Sequence, residues 1–336
     1  MGYINLNKKS FFHNADYYTK LLGDTNKICI ALKDNAYGHG IETMSLLSQE
    51  YGIKHTMVRN ISEANRTSKY SFETILILYE IPLENYPKNY IFSMNSLDDL
   101  ENCIENCKIE LKIDTGMGRN GILPSEIERA LELINKRNLV LNGVFTHFSC
   151  ADENDMITHT QEKLFLNSIE SIKSKIQTPF RVHCANSAGA HKVDNSLYDM
   201  ARVGIGLYGY LDIEGTESLV KPVLSLHAKK ISTRVLNIGD TINYGATYIV
   251  SENNFIVSNY DIGYSDGFFR LNERKKAKTA KNKNILGRVS MDSLSVEGND
   301  KEICIFNNAR ELAKVHDTIH YEILTNLHAS VQKYIV

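Results

Sequence analysis

The sequence predicts an α/β architecture, a (β/α)8 barrel over residues 1–215 followed by a mainly-β domain over residues 216–336. Two observations predict it. Short β-rich apolar runs alternate with amphipathic helical stretches through the first part of the chain. After about residue 215, strand-like runs follow one another without long helices between them. At 336 residues, 43% hydrophobic, the chain is long enough to bury a substantial core without staples.

In order, the strand candidates are Ile28–Leu32, His55–Arg59, Ile75–Leu78, Ile91–Met94, Glu110–Asp114, Gly143–His147, Arg181–Cys184 and Met200–Ile205. Between them Ser125–Arg137 and Thr160–Ile176 read as amphipathic helices. Eight such strands alternating with helices argue for a parallel sheet closed into a TIM-type barrel, whose chemistry gathers at the carboxyl ends of the strands. Polar residues end these runs repeatedly: Lys33, Arg59, Asp114, His147, Asn186 with Ser187, and Arg202 with Gly204. One such ending means little, but together they point at a shared mouth. Beyond residue 215 come Val223–Leu226, Thr241–Tyr248, Phe255–Tyr260, Ile285–Val289 and Ile303–Phe306, with a closing helix expected near Tyr321–Tyr334.

Composition narrows the function classes. A net charge of −2 offers no global field for nucleic acid or an anionic membrane surface. The stretch Asn272–Asn284 holds six Lys/Arg, but no aromatic residues interleave it, so it reads as a solvated loop. No apolar run could span a bilayer, and Met1–Lys9 lacks a signal-peptide apolar region, so a soluble cytoplasmic protein is expected. The six cysteines are scattered and read as free thiols. Cys103 and Cys107 are spaced for one helical face, without a second pair to complete a zinc site, and no metal is expected.

Lys33 carries the chemistry. The run Ile28–Leu32 leads straight into Lys33-Asp34-Asn35-Ala36-Tyr37-Gly38-His39-Gly40. A lysine where a buried strand ends is well placed to be desolvated, which favours the nucleophilic free amine. Such an amine forms Schiff bases with aldehydes, of which pyridoxal 5′-phosphate (PLP) is the commonest cofactor. The alternative is a solvated lysine at a strand end, as most lysines are.

Eight motifs in order extend this reading: Ala31–Gly40, Lys112–Arg119, Thr146–Glu153, Ala185–Ser187, Ala201–Gly209, Asn243–Tyr248, Gly263–Gly267 and Gly287–Asp292. With them the chain resembles the alanine racemases, PLP enzymes of barrel-plus-β-domain fold, over nearly its full length. The resemblance implies that Lys33 is the Schiff-base lysine and, once substrate displaces it, the acid/base catalyst for the D face. It implies Tyr244 for the L face, contributed by the second subunit of a homodimer with shared sites. Racemisation needs both, because the proton leaves and returns on opposite sides. It further implies that Arg202 faces the pyridine nitrogen and that His147 lies near the cofactor ring. Tyr37, Asn186, Ser187, Gly204 and Ile205 are implied around the cofactor and its phosphate. Arg119, Tyr264 and the Met291 amide would contact substrate, Asp292 would support its loop, and Lys112 would be carbamylated to N6-carboxylysine.

One departure bears on specificity. Ungapped alignment puts Ala329 where the family has a phosphate-binding tyrosine, so the pocket is expected to tolerate serine beside alanine. The implied role is supply of D-alanine for peptidoglycan. Two other readings stay open: a fold-related PLP decarboxylase of basic amino acids, disfavoured by Arg202, and a PLP carrier. Carriers resemble the barrel half alone, and the residues beyond it argue against that reading.

Overall fold

The structure, a computed structural model, describes residues 2–216, 218–271 and 275–336. The chain divides into two compact units. A barrel unit comprises Lys9–Ala36 and Met44–Lys221; a β unit comprises the N-terminal residues through Lys8, Tyr37–Thr43 and Pro222–Val336.

Strand β1 (Tyr3–Leu6) belongs to the β unit, and the next eight strands form the barrel. They are β2 (Ile28–Ala31), β3 (His55–Val58), β4 (Thr74–Ile77), β5 (Tyr90–Met94), β6 (Lys108–Lys112), β7 (Val140–Phe145), β8 (Arg181–His183) and β9 (Ala201–Val203). Each pairs in parallel with its sequence neighbour from β2 to β8, and β9 returns to pair with β2. Two backbone bonds close the ring on the last side, Asp199 N–H to Val182 O at 2.9 Å and Arg202 N–H to Ala185 O at 2.9 Å. Strands covered on both faces carry continuous apolar runs, and β2 and β5 are buried throughout.

The helices fit the expected places with altered ends. Ser125–Arg137 resolves into a 3-10 turn at Pro124–Glu126 and an α-helix at Ile127–Lys136. The helix expected at Thr160–Ile176 begins earlier, at Asp155, because the Asn154 side chain caps it by accepting from Ile157 N–H. Cys103 and Cys107 do not share a helical face. Cys103 ends the helix Leu97–Asn102 in extended geometry, and Asn106 at φ +61° intervenes. All six cysteines are free.

In the β unit, β10 (Leu224–Leu236) is the spine: β1 and β16 (Glu302–Phe306) pair along its first half and β13 (Phe255–Tyr260) along its second. Beyond β13 lie β15 (Leu294–Glu297) and β14 (Ile285–Leu286). The expected strand Thr241–Tyr248 is broken into β11 (Thr241–Ile242) and β12 (Tyr248–Ile249), because Asn243 at φ +61° and Gly245 at φ +75° turn the chain between them. The expected helix Tyr321–Tyr334 is also corrected. Helix stops at Thr325, and the chain ends as β17 (Gln332–Ile335), paired in parallel with β1. A helix at Ala309–His316 had no counterpart in the sequence reading. Of the basic stretch, residues 272–274 lie outside the described residues; beyond them Lys275 pairs with Asp317 and Lys283 with Asp300.

Candidate active site at the barrel mouth

Lys33 follows β2 directly, and the backbone after it is unusual. Asp34, Asn35, Ala36 and Tyr37 all take φ between 52° and 54°, a left-handed turn built from non-glycine residues. Such geometry costs L-residues about 1–2 kcal/mol each, so it persists only where neighbours impose it. The neighbours are on the helix Ile61–Thr67 that follows β3. Glu63 accepts from Asn35 N–H at 3.1 Å and from Arg59 N–H at 2.8 Å, and Arg66 donates to Asn35 Oδ1 at 3.2 Å. The turn redirects the chain and leaves Lys33 Nζ 3.2 Å from Asp34 Oδ2. Its side chain is 31% exposed, so the lysine stands at the mouth and is not sealed below it. Gly38 ends the turn at φ +80°, where a Cβ would sit 2.0 Å from Leu324 O. No other residue fits there.

Arg202 lies on β9, beside β2, and is 2% exposed. Its Nη1 donates to His183 Nδ1 at 2.7 Å; its Nη2 donates to Thr146 O at 2.6 Å, Cys184 O at 3.1 Å and His147 Nδ1 at 3.1 Å. The Nε–H makes no hydrogen bond among the described residues. A guanidinium pinned by both Nη atoms with one donor to spare fits a neutral ring nitrogen. His147 is held well below the ordinary histidine pKa by burial and by the Arg202, Lys112, Arg119 and Lys33 charges. It is therefore neutral, accepting at Nδ1 and carrying its proton at Nε2.

A phosphate site fits the next loop. The amides of Gly204 and Gly206 converge on Ser187 Oγ, both at 3.1 Å, and the Ile205 amide has no partner among the described residues. Backbone donors focused on one oxygen suit an anion, which would have to take the Gly204 amide over from Ser187. Bulk is excluded here, since a Cβ on Gly206 would meet the Tyr18 hydroxyl at 2.1 Å. Asn186 instead shapes the turn, accepting from Gly189 N–H at 2.7 Å.

On the loop after β6, Asp114 accepts from the Gly116, Met117 and Gly118 amides and so fixes the path to Arg119, which is exposed. Lys112 is 5% exposed and donates to Asn120 Oδ1. Burial and the Arg119 and Arg202 charges bring its pKa down to about 8. An amine so depressed is partly neutral near pH 7 and able to attack CO₂.

The remaining candidates belong to the β unit. Tyr37 is 8% exposed, its ring 6.0 Å from that of Tyr321. Tyr244, Tyr264 and Met291 are 65%, 41% and 53% exposed, an unusual share for such side chains. Their loops are joined: Asn243 donates to Leu286 O, Tyr264 N–H to Ser290 O, and Ser265 N–H to Met291 O. Asp292 accepts from the Ser265 hydroxyl at 3.2 Å, within the same group of loops. Ala329 is exposed in the turn before β17.

Sequence reasoning missed Glu110 and His183. Both are fully buried in the barrel interior, with His183 Nε2 2.9 Å from Glu110 Oε2 and Arg181 bonded to Glu110 Oε1. Polar residues at alternate positions inside β6 (Glu110, Lys112) and β8 (Arg181, His183) were the available signal.

Comparison with known proteins agrees over the whole chain. A family profile described as alanine racemase, N-terminal domain, matches residues 6–212, and one described as alanine racemase, C-terminal domain, matches residues 223–335. The chain is similar to the alanine racemase of a Nitratiruptor species, 41% identical with 99% of each chain covered. It is similar also to that of Campylobacter jejuni subsp. jejuni serotype O:2, 36% identical with 100% of each covered. Among solved structures, alanine racemase of Clostridium difficile 630 superposes with a TM-score of 0.88 at 24% identity, covering 100% of this chain and 95% of that one. The Bacillus anthracis alanine racemase with bound L-Ala-P gives 0.86 at 24% identity, with the same coverage. The two structural likenesses speak for the fold; the family profiles and the full-length relatives establish that this chain belongs to the alanine racemases, PLP-dependent isomerases.

Proposed function

We propose that the chain interconverts L- and D-alanine by two-base transfer of the α-proton, with Lys33 on one face and Tyr244 of the partner subunit on the other. The observation that carries this reading is Arg202. It is buried, fixed through both Nη atoms and left with Nε–H to offer, at the same mouth as Lys33. PLP, when bound, supplies the electron sink for the α-carbon. Arg202 donates a hydrogen bond without giving up its proton, so it would leave the ring nitrogen unprotonated and the sink weak, which favours return of the proton to the α-carbon over transamination or decarboxylation.

The other residues divide the remaining work. Lys33 Nζ would hold the cofactor aldehyde until the substrate amine displaces it and frees the lysine, and Ser187, the amides of Gly204 and Ile205, and the Tyr37 hydroxyl would hold the phosphate. From L-alanine, the Tyr244 phenolate takes the α-proton while the Lys33 ammonium delivers one to the opposite face; the reverse reaction exchanges these parts. His147, neutral with its proton on Nε2, is suited to donate a hydrogen bond to the phenolate oxygen. Arg119 orients the substrate carboxylate and the cofactor phenolic oxygen. Lys112, attacking CO₂ and releasing a proton to water, becomes a carbamate that pairs with Arg119. Tyr264 and the Met291 amide of the partner subunit close over the substrate, which accounts for the exposure of Tyr244, Tyr264 and Met291 in one chain.

The product serves peptidoglycan synthesis in the cytoplasm, and the space at Ala329 admits serine. Chiral chromatography of L-alanine and L-serine after incubation with PLP-loaded protein tests this reading. D-alanine supports racemisation and D-serine beside it supports the wider pocket; neither product would overturn both. Tyr244→Phe separates a racemase from a carrier, since only a racemase loses turnover while keeping PLP.

A further inference from the structure

We propose that Glu110 is a positioning residue for Arg202, acting through His183. The inference rests on the reading of Arg202 as the partner of the cofactor ring nitrogen. Arginine only donates, so the 2.7 Å contact between Arg202 Nη1 and His183 Nδ1 requires His183 to accept there and to carry its proton on Nε2. That proton points into the barrel interior, where an unanswered donor is costly. Glu110 Oε2, at 2.9 Å, answers it. The carboxylate two links below the mouth thereby selects the one histidine tautomer that can seat Arg202. Phe145 completes the seat, stacked on His183 at 5.0 Å with the Arg202 guanidinium carbon 4.9 Å from its centroid.

The barrel is shaped around this carboxylate. Glu110 pairs in register with Gly143, and Gly143 with Arg181, just past a register shift between β6 and β7. A Cβ on Gly143 would lie 2.9 Å from Arg181 Cγ and 3.0 Å from Glu110 Cδ. The missing side chain is what lets Arg181 reach Glu110 Oε1 and keep it ionised, while Asn142 donates to the same oxygen at 3.3 Å. Arg181 continues to Thr74 Oγ1 at 3.2 Å, and Thr74 to His55 Nδ1 at 2.8 Å. A hydrogen-bonded chain thus runs from the amino-terminal ends of the strands to Arg202 at their carboxyl ends.

The test compares two double variants, E110Q/R181M and E110M/R181M. Both remove the buried ion pair as a unit, a change that buried pairs often tolerate. They differ in whether an acceptor for His183 Nε2–H remains. The readouts are PLP affinity by titration, the absorption spectrum of the bound cofactor, and kcat against KM for alanine. We expect E110Q/R181M to keep the wild-type spectrum and E110M/R181M to alter it. In the latter, PLP should bind about tenfold more weakly and kcat should fall about tenfold with KM little changed, the scale of one lost buried hydrogen bond. Equal behaviour of the two variants in spectrum and affinity would overturn the proposal and leave the racemase reading intact. Wild-type protein that takes up no PLP would overturn both.

Discussion

Gly143→Ala places a single methyl group where the barrel has no room for it. Gly143 does not have positive φ, so the backbone tolerates alanine and the penalty is steric. The new Cβ would sit 2.9 Å from Arg181 Cγ and 3.0 Å from both Cγ and Cδ of Glu110, closer than carbon atoms approach without repulsion. These neighbours cannot swing aside freely, because Glu110 is fully buried and tied to His183 and Asn142. Overpacking of this kind costs about 1–3 kcal/mol, and a weakened charge-assisted hydrogen bond adds about 1.5–3 kcal/mol. We therefore expect about 3 kcal/mol of destabilisation, a fall in Tm of roughly 6–12 °C for a unit of this size. Urea denaturation measures it, with Gly23→Ala as reference. Gly23 has φ +83° and nothing within 4 Å of where a Cβ would stand, so its alanine variant bears conformational strain alone, about 1 kcal/mol. Equal losses for the two variants would refute the steric argument.

Three further outcomes follow from the site. Mixing Lys33→Ala with Tyr244→Phe protein should restore about a quarter of wild-type activity if sites are shared across a twofold dimer, since half the dimers are hybrids with one intact site; no recovery would refute the shared site. ¹³C-bicarbonate should give a carbamate resonance that grows as pH rises through about 8, where the Lys112 amine becomes neutral, and that vanishes in Lys112→Arg. Acid should destabilise the barrel in two stages. His183 is brought down to about 4 by burial, so from pH 6.5 downward the unfolded chain takes that proton first and stability falls. Glu110, pushed up by burial but brought down to about 2 by the Arg181 and His183 charges and their hydrogen bonds, contributes stability above pH 4.5 that is lost as pH falls toward 2. Urea midpoints across this range should lose the lower stage in E110M/R181M.

The eight barrel strands were legible because a strand covered on both faces must be apolar along its length, and runs such as Ile28–Ala31 leave no other reading. Their polar ends located the mouth: Lys33, His147, Ser187 and Arg202 all lie there. Strand β17 was not legible, since its partner β1 lies at the opposite end of the sequence and no local pattern announces the pairing. The break at Asn243 was hidden because asparagine tolerates positive φ without requiring it. Glu110 escaped notice because its function depends on Arg181 and His183 two strands away, and sequence proximity carries none of that.

The turn after Lys33 has a consequence for the handedness of the residues themselves. Asp34, Asn35, Ala36 and Tyr37 hold torsions that are the mirror image of an ordinary helix, so each L-residue there is in the conformation natural to its enantiomer. Semisynthesis with a D-residue at position 36 would relieve about 1–2 kcal/mol of strain at that position and leave the path of the backbone unchanged. At Ala36, a chain of the alanine racemase family thus holds an L-alanine in the torsions natural to the D form.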